Sequence, residues 1–482
     1  MSACPTVVWF RRDLRTADNT ALARACADGP VVCVWVRDPA LLRRRHHRAP
    51  GRLAFLRDGL RALDADLRAR GSRLVVRTGA PEAVLADVCR TAGARRVVHA
   101  AEVSPWGRAR DRRVAAALAR DGVRVDEVGG DLLVDPGDLP GSSGEGYRVF
   151  TPFWRAWRTF PLPRHSPAPE RVDGPRLDGE DPGDVAAGDP PAPAGASVAR
   201  DALVRFIRDG GADGYADTRD DPAADATSHL GAYLRLGMCT AAQVGRALGL
   251  PGVLSAGREE FWRQIAWREF FHHLMARRPG VARAALDPAL RGVAWDDDPD
   301  GLDAWRRGLT GYPLVDAGMR QLAATGFMHN RVRMVAASFL VKDLHVDWRR
   351  GETVFMQALV DGDPASNNGG WQWVAGTGAH AAPYFRVLNP VRQAQRFDPG
   401  GAYIRRWVPE LAGVSGARIH EPWRMTPDEQ EAAGCVIGVD YPGPVTDHSG
   451  ARERVLRLYR DARARSSRAP GGHPSPGDDA AV

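Results

Sequence analysis

The segment EEFWRQIAWREFFHHLM (259–275) carries residues able to hold a flat, charged ligand. Read as a helix over 260–277, it places Gln264, Trp267, Arg268 and Phe271 on one side, at i, i+3, i+4 and i+7. An amide, an indole and a guanidinium along one wall suit stacking of a planar ligand and neutralisation of phosphate. The same pattern also suits an ordinary helix whose arginine pairs with a carboxylate. A second helical pattern, FMHNRVRMVAASFLVKDLHVD (327–347), sets Val332, Val335, Ala336, Phe339 and Leu340 on one stripe and Asn330, Arg333 and Met334 on another. A buried guanidinium needs a partner, and Asp361 and Asp363 of DGDP are candidates to supply it. Beyond them runs SNNGGWQW (366–373). Paired asparagines and glycines are poor helix-interior residues, so the expectation is a turn where backbone approaches a ligand closely. Asn367 there offers both a donor and an acceptor to a heteroaromatic edge. TSHLGAYLRLG (227–237) opens with two hydroxyls ahead of an apolar pattern and reads as a helix N-terminus, which is either simply capped or a phosphate site. Nine of the fourteen tryptophans fall between Trp262 and Trp423. Together these describe a helical domain holding a phosphorylated, planar, redox-capable ligand among aromatics.

The elements that must position these residues divide the 482-residue chain. Short apolar runs at Thr6–Phe10, Val31–Val36, Leu74–Val76, Val97–His99 and Val123–Val128 alternate with helical stretches such as Leu53–Arg70 and Pro81–Ala92. That alternation implies βαβ units and a parallel sheet. RRDLR follows the first strand instead of GxGxxG, so the usual dinucleotide fingerprint is missing. Residues 161–196 hold nine prolines and no period of 2 or 3.6; they read as a linker running over the surface. The texture from about 197 to 465 is helical. The resulting division is 1–135 α/β, 136–196 linker, 197–465 helical and 466–482 disordered tail.

Composition closes several routes. Of 66 basic residues one, Lys342, is lysine, and it does not follow a GxxxxG pattern, so Walker-type phosphate chemistry is excluded. HExxH and GxSxG are absent. The six cysteines, Cys4, Cys26, Cys33, Cys89, Cys239 and Cys435, form no CxxC and read as reduced thiols. The net charge of +7 permits a polyanionic partner. With no long apolar run and no signal-peptide layout, the expectation is a cytoplasmic protein without a membrane partner.

The chain resembles the DNA photolyase/cryptochrome family, closest to the bacterial cyclobutane pyrimidine dimer (class I) photolyases. The resemblance rests on WFRRDLRTADNTAL (9–22), TSHL (227–230), WREFFHHL (267–274), TGYPLVDAGMRQL (310–322), MHNRVRMVAASFLVKDLHVDW (328–348), DGDPASNNGGWQW (361–373), APYFRVLNP (382–390) and YPGPVTDH (441–448). It spans nearly the whole chain apart from linker and tail. It implies a Rossmann-like five-stranded α/β antenna domain, then an all-α domain binding FAD non-covalently. It implies light-driven repair of cyclobutane dimers in UV-damaged DNA, by electron transfer from reduced FAD to a flipped-out lesion.

By the same resemblance, Tyr215, Thr227, Ser228, His229, Leu230 and Gly231 match the segment holding the FAD phosphates, with Gly231 replacing the usual serine. Gln264, Arg268, Asn330 and Asp361, Gly362 and Asp363 match further FAD contacts. Arg333 matches the arginine paired with Asp361 beside the isoalloxazine, and Asn367 the residue facing flavin N5. Trp371, Trp348 and Trp295 match an electron-transfer triad running outward. Trp267 and Trp373 match the lesion walls, with Met334 beneath. Arg219, Arg331, Arg386 and Gln393 match positions near the lesion or the DNA backbone. Gln264 stands where dimer photolyases carry glutamate, as is usual in (6-4) photolyases. Met334 stands where (6-4) enzymes carry histidine, and Phe327 replaces a frequent tryptophan. Ala282 and Arg283 replace the cysteine and lysine of one folate pocket, and its Asn-Glu pair is absent from EVSPWGRARD. This ranks 8-hydroxy-5-deazaflavin ahead of methenyltetrahydrofolate as antenna. A monomer is the default. The alternatives are a (6-4) photolyase and a cryptochrome, a blue-light receptor without repair.

Overall fold

The computed structural model describes residues 4–42, 48–141, 144–379 and 386–468. Residues 382–385 of the APYFRVLNP motif and 469–482 of the expected tail lie outside them.

Strands β1 (Thr6–Phe10), β2 (Val31–Arg37), β3 (Leu74–Thr78), β4 (Arg96–Ala100) and β5 (Arg124–Val128) form one parallel sheet in the order β3-β2-β1-β4-β5. β1 is buried at every position, because helices cover both faces. The helices of this half are α1 (Thr20–Asp28), α2 (Pro39–Leu42), α3 (Pro50–Arg68), α4 (Pro81–Ala92) and α5 (Pro105–Arg120). Chain order reverses between β1 and β4, which opens a crevice at the carboxyl ends of the strands. Arg11, Arg12, Ala100 to Val103, Asp131 and Leu132 line it, together with Arg268 and His272 from the helical half.

The helical half begins after α6 (Phe150–Trp157). It comprises α7 (Ala196–Arg208), α8 (Tyr215–Thr218), α9 (Gly231–Arg235), α10 (Ala241–Leu248), α11 (Ala256–Arg277), α12 (Pro299–Arg307) and α13 (Pro313–Thr325). It continues through α14 (Asn330–Ser338), α15 (Trp348–Ala358), α16 (Pro364–Ala375), α17 (Pro390–Phe397), α18 (Ala402–Trp407), α19 (Pro427–Ala433) and α20 (His448–Arg468). One apolar core runs without a break from Val8 and Phe10 of the sheet to Trp157, Trp262 and Phe270. Buried Glu269 adds a polar tie: it accepts from the Leu133 and Val134 amides and from Trp157 Nε1 at 2.5, 3.4 and 2.7 Å. No helix among the described residues is long and apolar enough to cross a membrane.

Four local expectations are corrected. SNNGG is helix, not turn. Asp363 caps α16 by accepting from the Ala365 and Ser366 amides, both at 3.0 Å, Pro364 occupies the first turn, and Gly376 closes it at φ +78°. Gly369 is there for a neighbouring side chain: a Cβ on it would lie 2.1 Å from the Phe271 ring. Second, Thr227 and Ser228 do not begin a helix. α9 starts at Gly231 without a side-chain cap, and Ser228 Oγ instead accepts from the Leu230 amide at 3.4 Å, in a turn with His229 at φ +51°. Third, the helix read through 327–347 stops at Ser338 and passes into a π turn over Phe339–Asp343. Fourth, the proline-rich stretch read as a surface linker is fastened to the sheet. Val31 donates to Asp173 O at 2.7 Å, Glu180 to Val76 O at 2.9 Å, and Val172 is fully buried. α6 also falls inside the 136–196 span, with Phe153 and Trp157 in the core.

Candidate functional site

The expected wall forms on α11. Gln264, Trp267, Arg268 and Phe271 are all half-buried on a helix otherwise deep in the core. Trp267 lies flat on Phe150 of α6, centroids 3.7 Å apart and planes within 7°, so one face of the indole is already covered. Arg268 donates through Nη2 to Leu234 O at 3.2 Å, while its Nη1 is buried without a partner. Gln264 Nε2 donates to Glu260 Oε1 at 2.8 Å, and Arg219 pairs with that same oxygen.

Opposite α9 stands the Asp361–Asp363 turn. Arg333 donates to Asp361 Oδ2 at 3.0 Å and to Met328 O at 2.6 Å, answering the expectation that its guanidinium finds a carboxylate here. Asp361 Oδ1 is buried and unpartnered. A Cβ on Gly231 would sit 2.8 Å from Asp361 Oδ2, so the start of α9 packs closely on this carboxylate. Asp363 pairs with Arg12 from the sheet half and lies 3.3 Å from His272 Nε2. Burial alone would raise its carboxyl, but His272, Arg12 and Arg268 hold it well below the usual carboxylate range. Gly362 is buried and its carbonyl accepts from Arg235 Nε at 2.5 Å. Burial, with Arg52 and Arg12 nearby, brings the Arg235 guanidinium down to about 9.

On α16, Asn367 and Asn368 are turned toward α15. Asn367 Nδ2 donates to Glu352 O at 3.0 Å, and Asn368 Nδ2 to Glu352 Oε1 at 3.1 Å. Burial pushes the Glu352 carboxyl up to about 7. Trp371 and Trp348 are 2% and 1% exposed, and Trp295 is half-buried. The Trp371 ring meets Phe355 and Trp305 edge-on at 5.0 and 6.1 Å. The Asp296 amide donates to His345 O at 3.0 Å and Asp296 bridges Val346, which brings the Trp295 strand alongside the start of α15. Trp295 itself packs on Tyr459 at 6.1 Å. Trp373 and Met334 are half-buried against the α13–α16 core, and Asn330 is exposed with Nδ2 3.9 Å from Met334 Sδ.

The remaining predicted residues are more dispersed. Tyr215 is buried edge-on against Phe261 at 5.2 Å, with the Arg219 guanidinium over its ring at 5.6 Å. Thr227 and Ser228 are half-buried, His229 is exposed beside Asp225 at 2.8 Å, and Leu230 is buried. Arg331 pairs with Asp220 at 2.7 and 3.2 Å and lies over Phe397 at 4.2 Å. Arg386 is exposed, and the Gln393 Oε1 atom is buried without a partner. Glu260, Glu352, Phe150 and Arg12 were missed in the sequence reading. Only Glu260, one turn before Gln264 on the same face, could have been found by helical spacing.

The family model for DNA photolyase matches residues 6–171, and that for the FAD binding domain of DNA photolyase matches 261–461. Deoxyribodipyrimidine photo-lyases of Agrobacterium fabrum and Streptomyces griseus are 40% and 44% identical to this chain. They cover 95% and 94% of it, and 98% of each relative. The chain belongs to the DNA photolyase family. A bacterial class III photolyase from Agrobacterium tumefaciens superposes with a TM-score of 0.89 at 39% identity, covering 96% of this chain and 98% of that one. A Synechocystis cryptochrome gives 0.88 at 30%, covering 94% and 99%. The α/β sheet followed by a helical FAD-binding domain is thus the photolyase architecture. The site fits FAD on its own chemistry as well. Arg268 Nη1 is a buried donor and Asp361 Oδ1 a buried acceptor, each without a protein partner. These are the kinds of atoms that a phosphate and a ring N–H satisfy.

Proposed function

We propose that this photolyase repairs cyclobutane pyrimidine dimers in DNA under near-UV or blue light. The carrying observation is the Arg333–Asp361 pair with its unsatisfied Asp361 oxygen, in a chain that also buries an unpartnered Arg268 Nη1. FAD held here supplies, when reduced and illuminated, an electron for splitting the lesion. Arg268, Asn330 and the Tyr215 to Gly231 segment bind it, and Asp361 and Arg333 orient its ring. Asn367 faces flavin N5 and is itself positioned by the Glu352 carbonyl. Trp371 and Trp348 are both buried and Trp295 is half-buried, which supports a relay that leaves the protein at Trp295.

Lesion binding falls to the flat faces of Trp267 and Trp373, with Met334 beneath. A flipped, apolar dimer is stacked there and water excluded. Phe150 backs Trp267 and keeps it from turning. Gln264 hydrogen-bonds the base edge. Arg219, Arg331, Arg386 and Gln393 hold the DNA backbone or lesion flank, and backbone contacts make affinity fall with salt. An antenna would be 8-hydroxy-5-deazaflavin ahead of methenyltetrahydrofolate. The absence of the folate-pocket cysteine and lysine at Ala282 and Arg283 supports that ranking.

Two further readings each have one observation. Gln264 favours a (6-4) photolyase, and the 0.88 TM-score to a cryptochrome favours a receptor without repair. The deciding experiment illuminates chemically reduced protein on oligonucleotides holding either a cyclobutane dimer or a (6-4) product. Repair of the cyclobutane dimer alone is expected. Repair of the (6-4) product alone would overturn the proposal in favour of the second reading, and repair of neither with FAD bound would favour the third.

A further inference from the structure

The amide of Gln264 is not free to turn. Its Nε2 reaches back along α11 to Glu260 Oε1 at 2.8 Å, and Arg219 anchors that carboxylate from α8's C-terminal end. A carboxylate only accepts, so the amide end facing it must be the NH2. The two ends of a glutamine amide are otherwise nearly alike in shape, and an untethered one pairs either way round. Here Oε1 is the end left unengaged: it has no hydrogen-bond partner among the described residues, on a residue that shares its helix face with Trp267 and Arg268.

We propose that Glu260 is a positioning residue that holds Gln264 acceptor-outward, so that the lesion pocket selects thymine over cytosine. This rests on the dimer-repair reading above. Thymine presents an N3–H between two carbonyls. Oε1 takes that proton, while Nε2 stays engaged by Glu260, through the carboxylate Oε1 at 2.8 Å and through the backbone carbonyl at 3.4 Å. Cytosine presents a bare N3 beside an amino group, so the same Oε1 meets a lone pair. A flip of the amide would relieve that clash, but with Glu260 in place it would set Oε1 against a carboxylate and break a charge-assisted hydrogen bond.

The test is dark binding of the FAD-loaded protein to duplexes holding one thymine dimer, one freshly made cytosine-containing dimer, or no lesion. Wild type should bind the thymine dimer about tenfold more tightly than the cytosine-containing one, as for one mismatched hydrogen bond. Glu260→Ala should bring that ratio below about threefold, since the amide can then pair either way. Glu260→Gln, whose carbonyl oxygen Arg219 keeps turned toward Gln264 as an acceptor, should keep the wild-type ratio. With Gln264→Leu already present, Glu260→Ala should change the ratio no further. A general loosening, or release of Arg219 toward DNA, would move all three affinities together and leave the ratio untouched. A wild-type ratio retained in Glu260→Ala overturns the inference and spares the repair reading. Wild type that binds dimers no better than undamaged duplex overturns both.

Discussion

Arg333 and Asp361 meet across 3.0 Å with about four-fifths of each side chain buried, and only one of the two carboxylate oxygens is used. The pair is therefore complete as an ion pair and incomplete as a hydrogen-bonding site. Asp361→Asn keeps the volume and removes the charge. It should purify with flavin content at least about tenfold below wild type while circular dichroism stays native, because a buried guanidinium is left without its counter-charge. Full flavin occupancy in this variant would remove the pair from the cofactor site.

The tryptophan order makes a kinetic prediction. Trp348→Phe should abolish photoreduction of the oxidised protein, followed by flavin absorbance, yet leave repair by chemically reduced protein within about twofold of wild type. An unchanged photoreduction rate would take Trp348 out of the relay.

Stacking of Trp267 on Phe150 divides the wall into a free face and a backing. Trp267→Ala should weaken binding of dimer-containing DNA by about tenfold or more with FAD retained, as for loss of one aromatic base-stacking partner. Phe150→Ala should cost less, because the indole remains but loses its support. Equal affinities for Trp267→Ala and wild type would contradict the lesion-wall assignment.

Glu352 predicts a pH-dependent stability difference. Its folded-state carboxyl is pushed up to about 7, against an ordinary value of 4.5. Between those values the folded state holds a proton that the unfolded state has lost, so this group's contribution becomes unfavourable as pH rises through the window. Glu352→Gln stays neutral throughout. Relative to wild type it should gain about 1–2 kcal/mol between pH 5 and pH 8, allowing for partial exposure. Thermal melts at the two pH values measure this, and a pH-independent offset would refute it.

Close approach at Gly369 gives the fifth test. A Cβ there would lie 2.1 Å from Phe271. Gly369→Ala should lower stability by about 1–3 kcal/mol despite alanine's better helix propensity. Adding Phe271→Leu should restore part of it; additive losses would point to another cause.

What the chain reveals before folding follows from how local each cause is. The α11 face was legible because Gln264, Trp267, Arg268 and Phe271 obey a helical period, which the structure keeps. A carboxylate of DGDP as partner for the Arg333 guanidinium was legible from its place in an apolar helix; that the partner is Asp361 rather than Asp363 came from the family resemblance. Gly369 of α16 misled because its reason is Phe271 on a different helix, and composition registers it only as a breaker. Thr227 and Ser228 look like a cap, but Ser228 is engaged in its own turn and the helix waits until Gly231. Glu352 carries no local mark at all; its place is set by packing of α15 on α16. Phe150 and Trp157 were hidden by the prolines that follow them.

Asp363 is fastened from two directions, by Arg12 at the end of β1 and by His272 on α11, while it caps α16 through its own backbone neighbours. A single carboxylate thus serves the sheet half and the helical half at once. The two halves are not independent cassettes: a transplanted sheet domain lacking an arginine at the Arg12 position would leave the buried Asp363 carboxylate to His272 and the α16 amides alone. The seam between the lobes is in this sense inherited as one piece, and Arg12, which lies far outside the matched FAD-binding segment, travels with the flavin site.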